Sequence, residues 1–220
     1  MDFQHCFALW PKLTPAQQQW VLDTLITRRV PRGTVVHQGG VECTGLVLLK
    51  SGQLRAFILS PEGREITLYR LFSMDLCLFS AACMMNSLQF TVTLQAEKDT
   101  ELWIIPAEVY RDLMAVSPAA ANYANEIMAT RFTEVMWLME QVMWKSMDKR
   151  VAAFLLEESA IEDSLQLHTT HETIANHLGT HREVVTRMLR YLQGEGLVRL
   201  SRGVVEILDP VRLRDYADQE

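Results

Sequence analysis

The sequence predicts an α+β fold in three segments: a β-rich N-terminal part, one long helix, and a small helical domain ending in a hairpin. Three observations carry this. Between Thr34 and Ile105, short β-branched or leucine-rich runs alternate with glycine and proline turn signals. From Ala119 to Met147 there is neither glycine nor proline. Residues 169–202 hold two glycine-terminated helical runs followed by the first arm of a hairpin. With 220 residues and 49% hydrophobic content the chain can fill two cores. The expected segments are 1–118, 119–147 and 148–220.

Taken in order, Thr14-Pro15 opens a helical run from Ala16 to Leu25, and Pro31-Arg32-Gly33 forces a turn. Strand-like runs follow at Thr34 to His37, Gly45 to Lys50, Leu54 to Leu59, Glu65 to Leu71, Phe90 to Gln95 and Glu101 to Ile105. Turn signals separate them at Gly39-Gly40, Ser51-Gly52 and Pro61-Glu62-Gly63, a spacing that indicates a β-roll or a sandwich. Helical runs begin at Pro106-Ala107-Glu108 and at Pro118.

In the long helix Met128, Phe132, Val135, Met139 and Val142 repeat with the 3.5-residue period of a coiled-coil seam, which predicts a homodimer. Met136, Trp137, Leu138, Met143 and Trp144 widen the apolar surface, and a helix buried in the chain's own core is the alternative. A boundary is expected near Met147-Asp148, with a new helix from Lys149 to Ser159.

Thr169-Thr170-His171-Glu172 and Thr180-His181-Arg182-Glu183 both have the T-x-x-E form of a capping box. The first is read as opening a helix from Thr173 to Leu178, ended by Gly179, and the second a helix through Leu192. Two capped helices joined by one glycine turn make a helix-turn-helix. Val184, Val185, Met188, Leu189 and Leu192 form the inward face of the second, leaving Arg182, Glu183, Thr186, Arg187 and Arg190 outside. Such a face suits a DNA major groove, where arginine can pair with guanine and glutamate with the cytosine amino group. A plain surface ion pair between Glu183 and Arg187, at i and i+4, is the alternative. Leu197 to Leu200, the turn Ser201-Arg202-Gly203 and Val204 to Ile207 read as a β-wing that presents Arg202 to phosphate. The formal charge of −6 argues against an indiscriminate nucleic-acid coat. Locally, Arg182, Arg187, Arg190, Arg199 and Arg202 face only Glu183 and Glu195, a surplus of +3 between Thr180 and Arg202, with His177 and His181 beside them.

Over essentially its full length the chain resembles the cAMP receptor protein / fumarate-nitrate regulator (CRP/FNR) family of bacterial transcription factors. The most specific match is Ile174 to Leu189, which looks like the family's I-x-x-x-L-G-x-x-R-E-x-x-x-R-x-L. The resemblance implies a double-stranded β-helix of the cupin-like, cyclic-nucleotide-binding-domain type, then a dimerisation helix and a winged helix-turn-helix. It makes Arg182, Glu183 and Arg187 the base-reading residues and Thr170 and Arg202 backbone contacts. His181, Thr186 and Arg190 complete the candidate DNA-binding set. It also implies a palindromic double-stranded site and RNA polymerase as a further partner.

The resemblance breaks in the β-domain. Where cyclic-nucleotide-binding members carry a glycine-rich phosphate cassette and an arginine-serine pair, this chain has Leu78-Phe79-Ser80-Ala81 and Phe90-Thr91. A phosphate cradle needs converging backbone N–H groups and a cation. There is no glycine between Gly63 and Gly179 and no arginine between Arg70 and Arg111, while Val135 and Met136 on the facing helix cannot bond to adenine or phosphate. Binding of cAMP is therefore not expected, nor is an iron–sulfur cluster, since Cys6 is the sole cysteine before Cys43. The candidate effector pocket is Cys77, Phe79, Cys83, Phe90, Val135, Met136 and Met139, a sulfur-rich apolar wall suited to an uncharged or aromatic molecule or else a filled core. A Cys77–Cys83 redox switch and haem held by His5, His37 or a cysteine are further options, although no lysine or arginine is visible beside the thiols. A small-molecule-binding protein whose helix-turn-helix makes protein contacts is the runner-up. An enzyme is not expected, as no nucleophile motif, metal pair or nucleotide loop occurs. Without a signal peptide or a membrane-spanning apolar run, the chain is placed in the cytoplasm with no membrane partner.

Overall fold

The structure, a computed structural model, describes residues 2–38, 44–77 and 91–218. The N-terminal part opens with α1 (Phe3–Cys6), a 3-10 turn at Trp10–Lys12 and α2 (Pro15–Thr24). Thr14 caps α2 reciprocally: its hydroxyl accepts from Gln17 N at 3.4 Å, and Gln17 Oε1 accepts from Thr14 N at 3.0 Å. The strands are β1 (Ile26–Val30), β2 (Val35–Gln38), β3 (Leu46–Ser51), β4 (Leu54–Leu59), β5 (Glu65–Leu71), β6 (Leu76–Cys77), β7 (Thr93–Ala96) and β8 (Thr100–Ile105). Among the described residues they form two four-stranded sheets, ordered β1-β8-β3-β6 and β2-β7-β4-β5.

The continuous apolar runs of β3 and β8 are explained by burial on both faces. Val47, Leu49, Leu102 and Ile104 point into a core shared with Leu54, Ala56, Leu71 and Leu94 of the other sheet. Leu46, Leu48, Trp103 and Ile105 point the other way, into a second core with Phe3, Phe7, Leu9, Tyr110 and Leu113. Helix α3 (Ala107–Val116) and the start of α4 (Pro118–Trp144) close that second core, α4 through Ala120 and Ala124. Strand β1 escapes the sequence reading because all but its last residue are exposed, so Ile26 to Val30 carries no apolar run. The run expected from Phe90 to Gln95 contributes Thr93–Ala96 as β7, and Phe90 lies outside the described residues.

The long helix ends earlier than expected, at Trp144, because Ser146 adopts an extended backbone (φ −65°, ψ 157°) and starts α5 (Met147–Glu162) instead. Ser146 starts α5 through its backbone alone, as its side chain makes no capping bond, so no glycine or proline marks the break. The expected helix Lys149 to Ser159 is accordingly longer at both ends, running to a left-handed Asp163. Then come β9 (Gln166–Leu167), α6 (His171–Leu178), α7 (Arg182–Gly194), β10 (Val198–Ser201), β11 (Val204–Ile207) and α8 (Pro210–Asp218). Strand β9, too short to leave a sequence pattern, completes a three-stranded sheet of order β10-β11-β9. Val151, Leu155, Ile174, Val185, Leu189, Val205 and Leu213 meet in a third core.

The chain clusters into two compact units, Met1–Leu59 with Leu68–Val135, and Ser60–Thr67 with Met136–Glu220. Helix α4 contributes to both. Among the described residues, no helix is long and apolar enough to cross a membrane.

Gly45 marks a place where the β-roll leaves no room for a side chain. Its φ is +104°, and a Cβ there would lie 2.3 Å from the Ile105 carbonyl oxygen, on the strand paired with β3. Gly45→Ala is expected to cost more than the roughly 1–2 kcal/mol of a left-handed backbone alone, since β3 and β8 must part. Gly63→Ala, with nothing within 4 Å of the added carbon, should lose only that backbone cost. Urea unfolding of the two variants checks the difference.

Candidate nucleic-acid interface

The site is built on α6, α7 and the β10–β11 hairpin. Thr170 is the N-cap of α6: its hydroxyl accepts from Thr173 N at 3.0 Å and lies 2.8 Å from Thr173 Oγ1. The helix therefore begins at His171, two residues before the expected start, and Thr169 is not the cap. The Thr169 hydroxyl is buried without a hydrogen-bond partner. Gly179 ends α6 in the left-handed conformation (φ 69°), and its N–H bonds to Ala175 O. From beneath, Arg150 on α5 donates to Leu178 O at 2.8 Å, so a cation only 9% exposed ties down the turn. Burial lowers its pKa. The sequence offers no sign of this role, since Arg150 reads as one more charge on an amphipathic helix.

His181, not Thr180, is the N-cap of α7, and its side chain makes no capping bond. A second capping box was the wrong inference: in a one-glycine turn Thr180 is still bonding back to Ala175 O at 3.1 Å, which leaves His181 as the residue that enters the helix. Val185, Leu189 and Leu192 are 0% exposed. On the opposite face Arg182, Glu183, Arg187 and Arg190 are exposed, as is His181. Glu183 sits in the first turn, where the helix dipole favours a carboxylate. Among the described residues no ion pair joins Glu183 to Arg187, so both heads face solvent unpaired.

Thr186 differs from its neighbours. Its hydroxyl donates to Arg182 O at 2.9 Å and lies 2.8 Å from His171 Nδ1, which must then be the donor in that second bond. The pair locks α6 against α7. Burial, followed by the charges of Arg182 and Arg190, holds the pKa of His171 below its ordinary value of 6.5. His171 is the member of this site that sequence patterning misses.

The wing pairs Val198, Arg199, Leu200 and Ser201 with Ile207, Glu206, Val205 and Val204. Arg199 is held across the strands by Glu206 at 2.9 Å, whereas Arg202 is exposed at the tip. Between wing and helices lies a cavity of about 510 Å³ lined by residues 169–172, Arg182 and residues 201–205. It brings Thr170, Arg182 and Arg202 to one concave surface. A groove of this form, flanked by an exposed helix face, accommodates a nucleic-acid backbone.

Of the candidate effector residues, Phe79, Cys83 and Phe90 lie outside the described residues. Cys77 is buried, with its sulfur 3.8 Å from the Tyr69 hydroxyl. Val135 is half-buried, and Met136 and Met139 are 40% and 47% exposed. A cation unexpected from the local sequence reaches this region from α4. Arg131 donates to Leu76 O at 3.2 Å, binds Glu134 at 2.7 and 2.8 Å, and stacks 4.6 Å from the Tyr69 ring centre. Among the described residues no group of three His, Cys, Asp or Glu side chains could hold a metal ion.

Two family models match the chain, a cyclic nucleotide-binding domain over residues 27–117 and a Crp-like helix-turn-helix domain over residues 149–216. A transcriptional regulator of the CRP/FNR family from Eubacterium rectale, of known crystal structure, is 63% identical, covering 98% of this chain and 100% of that one with a TM-score of 0.96. The cyclic AMP receptor protein of Thermus thermophilus is 28% identical over 211 residues, 95% of this chain and 96% of that protein. The transcriptional activator protein FnrA of Stutzerimonas stutzeri is 28% identical over 207 residues, 90% and 83% of the two.

Thr170→Ala should lower stability by about 1 kcal/mol, whereas Thr169→Ala should stay within about 0.5 kcal/mol of the parent; denaturant titration separates the two. His171 gives a pH test. With its folded pKa below 6.5, the unfolded chain binds the proton first. Its contribution is complete above that value and is lost as pH falls toward the folded pKa. His171→Gln should therefore flatten the fall of Tm between about pH 7 and about pH 5.

Proposed function

This chain belongs to the CRP/FNR family of transcription regulators, and from that we propose that it acts as a homodimer reading a two-fold DNA site under the control of a small uncharged ligand. As a family member it is a transcription regulator with a helix-turn-helix DNA-binding domain, and not an enzyme. The observation that carries the readout is the division of α7. Its inner face is sealed at Val185, Leu189 and Leu192, and Arg182, Glu183, Arg187 and Arg190 stand outside it. Arg182, Glu183 and Arg187 read base edges, with Thr170, His181, Arg190 and Arg202 flanking them toward the phosphates. Thr186 bonds back to the Arg182 backbone carbonyl and to His171.

The dimer rests on α4. Phe132, Met139 and Val142 are 67%, 47% and 44% exposed although they are large and apolar, and they repeat at seam spacing with half-buried Met128 and Val135. A like helix would cover them. The two recognition helices then meet half-sites about one DNA turn, roughly 34 Å, apart. The setting is the cytoplasm, and RNA polymerase is the further partner.

For the ligand, the β-roll has the frame of a cyclic-nucleotide domain without the chemistry of one. The Thermus thermophilus relative is a cyclic AMP receptor protein, but here no glycine occurs between Gly63 and Gly179. Arg131, a cation on the facing helix, is already committed to Glu134 and to the Leu76 carbonyl. The sequence there offers no glycine-built turn to converge backbone donors on a phosphate. An apolar or aromatic effector suits the apolar, sulfur-rich sequence from Leu76 to Met85 better.

Enrichment from random duplexes at stated salt should recover a two-fold site, and failure to do so would overturn the readout. Arg187→Ala should weaken the recovered site by about 1–3 kcal/mol and relax preference at one base pair, whereas Arg202→Ala should weaken all sequences alike and lower the salt slope by about 1. Met139→Glu should convert the dimer to monomer in native mass spectrometry.

A further inference from the structure

The C-terminal helix does more than complete the third core. Its inner face, Leu213 and Ala217, is buried as α8 packs along α5. Its last turn makes two polar contacts, one within the break between α4 and α5 and one just after it. Lys145 Nζ, one residue beyond α4, donates to Ala217 O at 2.9 Å. The Tyr216 hydroxyl donates to Asp148 Oδ2, in the first turn of α5. The Tyr216 ring also lies 6.2 Å from that of Tyr191, near the end of α7.

Residues 145 and 146 alone separate the two helices, so their dihedral angles set the direction of the α4 tail relative to the helices that follow. No proline fixes them. Adjacent residues of α8 bind the first residue of the break and the second residue of α5. All of these groups lie in one compact unit with α6, α7 and the α4 tail, where Met139 and Val142 stand. Burial raises the pKa of Asp148, but hydrogen bonds from Ser146, Tyr216 and the backbone outweigh it and leave the carboxyl below its ordinary value. Tyr216 is pushed the other way, by burial and then by the bond to Asp148. Both directions describe a tyrosine that stays protonated and donates to a charged carboxylate, one of the stronger hydrogen bonds available.

We propose that α8 is a strap whose Tyr216 and Ala217 hold Asp148 and Lys145, fixing the angle between the dimer-helix tail and the recognition helix and so setting the half-site spacing the protein accepts. The inference rests on the dimeric readout proposed above. Tyr216, Lys145 and Asp148 are positioning residues and touch no DNA.

The test uses the full-length chain on two kinds of duplex: a single half-site, and two-fold sites whose half-site separation is changed by one base pair either way, which moves a half-site about 3.4 Å along the axis. Tyr216→Phe and Lys145→Met should keep half-site affinity within about twofold of the parent while flattening the preference among spacings by about fivefold or more. Asp148→Asn, which keeps an acceptor for Tyr216, should retain the parent's preference. Lys145→Met carries the test if Tyr216→Phe does not fold. Unchanged spacing preference, or equal weakening of half-site and two-fold duplexes, would overturn the strap. If the parent binds half-sites but never pairs on any two-fold duplex, the dimeric readout itself has failed, and the strap with it.

Discussion

Everything at the DNA-facing end depends on α7 having a single apolar face. Val185, Leu189 and Leu192 are sealed against Ile174 of α6, Val151 and Leu155 of α5 and Val205 of the wing. Rotating the helix would bury a charged head or expose this stripe, and either costs several kcal/mol. The arginines and Glu183 are therefore fixed outside by packing rather than by any contact of their own. Arg150 and the Thr186–His171 pair add direction to this seal, one by holding the carbonyl end of α6, the other by setting α6 against α7. The rigid inner face lets an outer face of long, solvated side chains present a defined pattern of donors.

A second consequence concerns the β-roll. Its strands β3 and β8 are apolar on both faces because they serve two cores, one between the sheets and one against the N-terminal helices and α4. The long helix is thus anchored at its start by Ala120 and Ala124 and left apolar and uncovered at Phe132, Met139 and Val142. Arg131 falls between these two regimes. Its stacking on Tyr69 and its bond to the Leu76 carbonyl tie α4 to the strand that carries Cys77. The pair with Glu134, within α4, holds the guanidinium in place for those two contacts.

Patterns of many residues were legible in the sequence, and long-range pairings were not. The period-3.5 stripe, the glycine turn at Gly179 and the hairpin around Arg202 all gave the correct element because each repeats or punctuates over several residues. Strand β1 was hidden because Thr27, Arg28 and Arg29 face solvent at a sheet edge, and β9 because two residues have no period. The break at Ser146 was missed because serine is an ordinary surface residue until its dihedral angles are known. The T-x-x-E form misplaced both helix starts by one residue: it occurs at Thr169 and Thr180, but the caps are Thr170 and His181. Arg131, Arg150 and His171 acquire their roles from partners 55, 28 and 15 residues away, separations at which no local pattern exists.

The proposal of two copies of this surface on one duplex draws on the division of α7, the exposed apolar stripe of α4 and the cavity shared by Thr170, Arg182 and Arg202. A hydroxyl-radical footprint on an enriched duplex tests it most directly. Two protected patches related by a two-fold axis, with centres about one helical turn apart on one face of the DNA, are the expected result. A single protected patch, or uniform protection independent of sequence, would contradict it.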